Sequence, residues 1–204
     1  MIDRFSTKEA HFAVLMMPDY RAINPYQDLL ADAVRSSGIK VDFVQGYRRI
    51  FPIFRALKLK NNCYQVLHLH WISPYLKGQY LLVRLFYSFK FILDILLVRW
   101  SGIKIVWTIH NQVSHESTFS YLERWTRCIL SQLVDQVILH HNSMVQPITD
   151  DYQFSPDKVS VIPIGHYRDI YPNAIDTQTA RKILGLPLSG LVYVNQGVIR
   201  PYKG

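Results

Sequence analysis

An α/β fold, a Rossmann-like parallel sheet with helices on both faces, is predicted by three features of this sequence. Apolar runs of strand length alternate with longer segments of helical periodicity. The strand-length runs are largely apolar, which calls for a sheet covered on both sides. Hydrophobic residues fill 49% of the 204 positions, enough for the core of a domain of this class and too many for a disordered chain.

The first expected strand is Phe12-Ala-Val-Leu-Met-Met17, followed by a helix over 26–34 that Gly38 closes. Pro25 fits the first helical position, where its missing N–H costs nothing. A strand over 39–44, a short basic helix near 54–60 and the strand Gln65-Val-Leu-His-Leu-His70 come next. A long apolar helix over 79–100 leads to the strand Ile103-Lys-Ile-Val-Trp-Thr108, a helix over 119–133 and a strand over 136–139. A helix near 143–152 and a strand over 158–162 complete this first lobe, expected at 1–165. Residues 166–186 read as an interlobe linker with a short helix from Thr177 to the glycine stop at Gly185. Residues 187–204 read as the start of a second lobe, in which the strand Leu191-Val-Tyr-Val-Asn195 feeds a loop of glycines and cations shaped for phosphate. No partner strand follows it, so its edge is expected to be unpaired and the second lobe incomplete.

Charge and cysteines narrow the function classes. Between Arg35 and Ile109 stand twelve Lys or Arg and two acids, a local balance of +10 within a total of +8. One face that attracts phosphate is implied, whether of lipid head groups, nucleotide sugars or nucleic acid. No nucleic-acid recognition motif accompanies the charge, so nucleic acid is not an expected partner. Cys63 and Cys128 have no metal spacing and fit a reducing compartment, with the cytoplasm as the expected address. The charged segment from Met1 to Glu9 lacks the apolar run of a signal peptide. Within 81–100, Arg84, Lys90, Asp94 and Arg99 interrupt every run long enough to span a bilayer. At 100° per residue these charges share one half of the helix and leave a broad apolar face. That face suits either a cover for the sheet, the favoured reading, or contact with an anionic membrane surface.

Six segments in order carry a resemblance: Asn24-Pro-Tyr-Gln27, Leu67-His-Leu-His-Trp71, Trp107-Thr-Ile-His-Asn111, Ile162-Pro-Ile-Gly165, the run from Ala180 and Arg181 to Leu184-Gly-Leu186, and Ile199-Arg-Pro-Tyr-Lys-Gly204. Together they resemble family 4 glycosyltransferases of the GT-B fold across essentially the whole chain. The resemblance implies two Rossmann-like lobes, the first binding the acceptor and the second most of the donor. It implies transfer of a sugar, of hexosyltransferase type and with retention, from a nucleotide-sugar donor to a glycan or lipid-linked acceptor, as in polysaccharide or lipid-linked oligosaccharide assembly. No cofactor and no metal are implied.

The site residues follow from the same resemblance. Lys203 matches the family's lysine on the donor diphosphate and Arg200 its arginine partner, with Gly197 in the same loop. Fixed cations there would stabilise the charge that a departing diphosphate gathers; as residues alone, both also read as solvated loop charges. His110 ends a buried strand at the sheet edge where ligands bind, and matches the family's histidine near the reacting sugar. Its other reading is a hydrogen-bonded histidine at a strand end. Asn24, Tyr26, Trp71, Asn111 and Glu116 would line the acceptor cleft with it, together with the loop carrying His115. Glu116 equally reads as an acid at a helix start. His68 and His70 share a strand face, yet no Cys or carboxylate nearby completes a metal site. His140 and His141 point oppositely and read as caps or solvated groups.

Three accounts of function follow: a transferase fragment inactive alone, a half-enzyme completed by a separate donor-lobe polypeptide, and a non-catalytic basic module that binds membrane.

Overall fold

The computed structural model describes residues 12–46, 50–59, 64–110, 119–168, 170–172 and 174–194. Contacts divide the chain into two compact units, 1–165 and 166–204.

The first unit holds a six-stranded, all-parallel sheet in the order β2-β1-β3-β4-β5-β6. Its strands are β1 (Ala13–Met17), β2 (Lys40–Phe43), β3 (Val66–Leu69), β4 (Lys104–Thr108), β5 (Gln136–Leu139) and β6 (Val159–Val161). Between them run α1 (Tyr26–Ser36), α2 (Pro52–Leu59), α3 (Leu81–Trp100), α4 (Ser120–Leu133) and α5 (Val145–Tyr152). The Rossmann-like reading of this unit holds, with most element ends within a residue or two of the expected positions. Gly38 and Gly102 end α1 and α3 at φ +80° and +78°, a conformation that a side chain would penalise.

The two faces are covered unequally. Ala13, Leu15, Met17, Leu67, Leu69, Ile105, Trp107, Val137 and Leu139 join residues of α2 to α5 in one large core. Burying each Leu, Ile, Val or Met side chain of this core contributes roughly 1.5–3 kcal/mol. On the opposite face Val14, Met16 and Val41 meet Ala31, Leu30 and Val34 of α1 in a smaller cluster.

Two of the four charges of α3, Arg84 and Asp94, turn inward. Asp94 is buried and accepts the backbone N–H groups of Ile53 and Phe54 at 2.9 Å each, which caps the first turn of α2. Burial raises its carboxyl to about 6, opposed by those two N–H donors and by Lys90. Arg84 reaches the fully buried Glu123 of α4 at 3.1 Å, and Arg127 holds the same carboxylate at 2.7 Å. The half of α3 that carries Arg84 and Asp94 thus faces the protein. The uncharged half, expected to cover the sheet, faces outward at Leu82, Phe86 and Phe89, while Phe91, Ile92, Ile95 and Val98 do the covering. Satisfied ion pairs and caps make that inversion affordable.

In the second unit α6 (Thr177–Ile183) starts at Asp176, whose side chain accepts from Gln178 and Thr179 N–H. Arg181 donates to the carbonyls of Pro187 and Gly190 and straps the following loop to the helix. The expected strand at 191–195 is not formed: Leu191–Val194 have no regular structure, and Asn195 lies outside the described residues. An isolated strand has no neighbour to satisfy its backbone, and none pairs with it among the described residues.

Glu123→Ala is expected to destabilise the protein by about 3–5 kcal/mol, since it strands the buried guanidinium of Arg127 and the largely buried one of Arg84. Asp32→Ala, which removes an exposed partner of Arg35, is expected to cost under about 1 kcal/mol. Urea unfolding of the two variants would measure the contrast, and equal losses would refute the buried-pair account.

Candidate functional site

The register of the sheet lines up one row of side chains. Met16, His68 and Val106 are neighbours across β1, β3 and β4, and Val106 is paired with Gln136 of β5. Alternation along each strand then places His70, Thr108, His110 and His140 on the same face. This is the face that α1 covers, and its N-terminus stands beside the carboxyl ends of the strands. Backbone bonds from His70 N–H to Met17 and from Ile109 N–H to Ile138 extend the ladder past the strand ends and hold this row in place.

Four histidines and two aromatic rings meet there. His68 stacks on His70 with ring centres 4.3 Å apart, and His68 Nε2 lies 2.8 Å from Thr108 Oγ1. His70 Nδ1 lies 3.4 Å from His110 Nε2, and His110 Nδ1 lies 3.4 Å from His140 Nε2. Trp71 stacks on His110 at 4.4 Å and 13°. Tyr26, the first residue of α1, presents an edge-on contact to His70, His110 and His140 at 5.8, 5.0 and 5.8 Å.

The loop that delivers Tyr26 is fixed by Gln27, to which no role was assigned from the sequence. Gln27 is fully buried; its amide donates to Pro18 O at 2.9 Å and its oxygen accepts from Tyr20 N–H at 2.7 Å. Asn24 Oδ1 accepts the Tyr26 N–H at 3.0 Å, and Pro25 occupies the N-cap, one residue before the position expected for it. Asp19 and Arg21 pair at 2.9 Å, and the guanidinium lies 4.0 Å over the Phe43 ring.

Burial sets the charge state. It lowers His68 from 6.5 to about 4 and His110 to about 3, the latter helped by His140 and His68. His70 falls well below 6.5, again through burial first and its histidine neighbours second. A chain of tautomers follows. His140 Nδ1 lies 2.9 Å from Ile162 O, which only accepts, so this nitrogen carries the proton. In the neutral ring Nε2 is then an acceptor, His110 donates from Nδ1, and His110 Nε2 accepts from His70 Nδ1. The chain ends at His70 Nε2, a bare lone pair; this is the ring nitrogen found buried without a hydrogen-bond partner. The order of the chain makes that orphan an acceptor instead of an N–H. Both links at His110 are long, so a ligand hydroxyl can displace either at little cost.

Of the residues expected from the sequence, the structure brings together Tyr26, Trp71 and His110, while the side-chain oxygen of Asn24 is occupied by the Tyr26 N–H in the turn before α1. Asn111, His115, Glu116, Gly197, Arg200 and Lys203 lie outside the described residues. His140, expected to be a cap or solvated, instead joins the row, whereas His141 does cap, accepting from Ser143 N–H at 3.1 Å. Alternation on β5 separated the two histidines; only the register could say which of them meets His110. Among the described residues no group of three His, Cys, Asp or Glu is arranged to hold a metal ion. The imidazoles meet in sequence, nitrogen to nitrogen, and do not converge on one point.

A pH dependence of stability follows. Below 6.5 the unfolded chain takes up protons on His68, His70 and His110 that the folded chain refuses: until about 4 at His68, about 3 at His110 and well below 6.5 at His70. Where the unfolded state binds more protons, stability rises with pH; it is therefore lost toward acid, by up to roughly 1.4 kcal/mol per pH unit for each ring. Asp94 acts oppositely with one proton between 3.8 and about 6, so three protons oppose one. The urea midpoint is expected to fall from about pH 7 to about pH 5, less steeply in His68→Gln. A flat profile would show that the rings are not held neutral.

The sequence pattern described as Glycosyltransferase Family 4 matches residues 23–166, which takes in Tyr26, Trp71 and the whole histidine row. No curated protein sequence matches the chain. Among solved structures, HepE of Anabaena in complex with UDP and glucose aligns at TM-score 0.48 and 13% identity over 86% of this chain. HepE in complex with UDP-glucose aligns at 0.47 and 14%, again over 86%. The chain spans about half the length of either HepE chain, 50% in both cases. With 144 consecutive residues matched to its defining pattern, the chain belongs to glycosyltransferase family 4.

Proposed function

We propose that this chain supplies the acceptor-side lobe for transfer of a sugar from a nucleotide-sugar donor to a glycan or lipid-linked acceptor, with His110 in contact with the reacting sugars. The observation that carries this reading is the row His70–His110–His140, framed by Trp71 and Tyr26, at the carboxyl edge of the parallel sheet within the family match. Ligands of open α/β sheets bind at that edge.

The geometry suits hydroxyl recognition. A neutral imidazole held in one tautomer offers one donor and one acceptor of fixed direction, which is what a sugar hydroxyl requires. The flat faces of Trp71 and Tyr26 add apolar surface of the kind that packs against a sugar ring. His110, held to about 3, brings no positive charge to a leaving diphosphate near neutral pH. That charge must be met by cations elsewhere, a role proposed for Arg200 and Lys203 with the Gly197 loop. Asn111 and Glu116, which follow β4, are proposed to line the acceptor side.

The test is sugar transfer from a panel of nucleotide sugars in lysates of source cells that carry the chain, lack it, or carry His110→Ala. Transfer that depends on the chain and falls at least about tenfold in His110→Ala is expected. No chain-dependent transfer, or a fully active variant, would overturn the proposal. The pH profile of kcat/KM should show no break near 6.5 that disappears in His110→Gln, because the ring stays neutral through that range.

A further inference from the structure

The solvent side of α3 is an uninterrupted apolar ridge. Leu82, Phe86, Phe89, Leu93, Leu97 and Trp100 follow one another at intervals of three or four residues and form a single stripe about 27 Å long. Four of them are strongly exposed: Leu82 at 78%, Phe86 at 63%, Phe89 at 58% and Trp100 at 81%. Leu93 and Leu97 are half-exposed between them. An exposed stripe of this size on one helix marks a surface that is covered by something. No helix among the described residues is long and apolar enough to cross a membrane, so the ridge is not part of a span.

The charges around the ridge identify its cover. Residues 44–103 contain nine Lys or Arg and one acid, Asp94. That acid is buried under the start of α2, and the sole acid of α4, Glu123, is buried between two arginines. Helices α2, α3 and α4 therefore present no exposed carboxylate. They do present Arg55 and Lys58 on α2, and Lys90 and Arg99 on opposite sides of the ridge. A second copy meeting this face through a two-fold axis would set these cations against themselves. An anionic lipid surface complements both features at once: acyl chains for the ridge and phosphate head groups for its basic margins.

We infer that α3 lies along the surface of an anionic lipid bilayer, with Leu82, Phe86, Phe89 and Trp100 in the acyl boundary and Arg55, Lys58, Lys90 and Arg99 at the head groups. The exposed N-terminal half of the ridge follows β3, and so begins at the sheet edge that carries the histidine row. Docked in this way, the protein holds that edge near the bilayer, where an amphiphilic acceptor with a membrane-embedded tail would reach it. This last step rests on the proposed function; the docking itself does not.

Co-sedimentation of the full chain with vesicles of phosphatidylcholine alone, or mixed with phosphatidylglycerol, tests the docking without nucleotide sugar or acceptor. Binding to the mixed vesicles that weakens with added salt is expected. The double variant Phe86→Ser with Phe89→Ser, at exposed positions, should keep its unfolding midpoint and bind at least about tenfold more weakly. Arg55→Glu with Lys58→Glu should reduce binding to the mixed vesicles. Absence of binding to the mixed vesicles, equal binding to both vesicle types, or serine and wild-type chains that sediment alike would overturn the inference. A lipid-free dimer that the serine variant dissolves would also overturn it, by assigning the ridge to a second copy.

Discussion

Everything distinctive about this lobe depends on the alignment of parallel strands, which keeps residues of one parity on one face. Leu15, Leu67, Ile105 and Val137 fall on the face that α2 to α5 bury. Their neighbours of opposite parity fall on the other, where α1 covers β1 and β2 and leaves the ends of β3, β4 and β5 to histidine. A slip of one residue in any pairing would exchange the two sets, moving imidazoles into the apolar core and isoleucines into the site. The hydrophobic core therefore does more than stabilise the fold. It fixes the register on which the meeting of His70, His110 and His140 depends.

The second constraint is the cost of buried charge. Asp94 and Glu123 are carboxylates without water, and each is tolerated because its oxygens are satisfied: by two backbone N–H groups of α2 in one case and by Arg84 and Arg127 in the other. These contacts join α2 to α3 and α3 to α4, so the helices covering the large core are tied to one another through polar groups as well as packing. The same contacts decide which side of α3 faces water. With Asp94 and Arg84 committed inward and Lys90 and Arg99 at its margins, the helix has only apolar side chains left along its outer line. The exposed ridge is the geometric counterpart of the buried polar links.

Sequence pattern revealed what depends on local periodicity and missed what depends on pairing. The strands and helices of the first lobe could be read because apolar runs and helical spacing are local, as are the glycine stops at Gly38 and Gly185. His68 and His70 could be seen to share a face, since a period of two lies within one strand. That His140 meets His110 could not, because it requires the registers of β4 and β5 and the parity of each. Asp94 looked like an interruption of an apolar helix; its role is defined by N–H groups 41 and 40 positions earlier in the chain. Gln27 stood in the first segment of the resemblance with no role of its own, although it holds the loop that delivers Tyr26. The failed strand at 191–194 shows the same limit from the other side, for a β-prone run becomes a strand only when a neighbour supplies hydrogen bonds.

The electrostatic character of the histidine row bears on how work would be divided in a glycosyltransferase of this family. Burial has removed charge from His68, His70 and His110, and their remaining chemistry is directional hydrogen bonding. Sugar hydroxyls are neutral and are distinguished by where their donors and acceptors point, so uncharged rings of fixed tautomer suit them. A diphosphate is multiply charged, and its departure calls for cations that this row does not contain. On the function proposed above, the row would serve the sugars and other residues would serve the leaving group. Charge at the row would in fact be a liability. A protonated His110 would lose its acceptor nitrogen and repel its histidine neighbours, breaking the chain that begins at the carbonyl of Ile162. Keeping these rings neutral is therefore a condition for the site's geometry as well as a consequence of its burial.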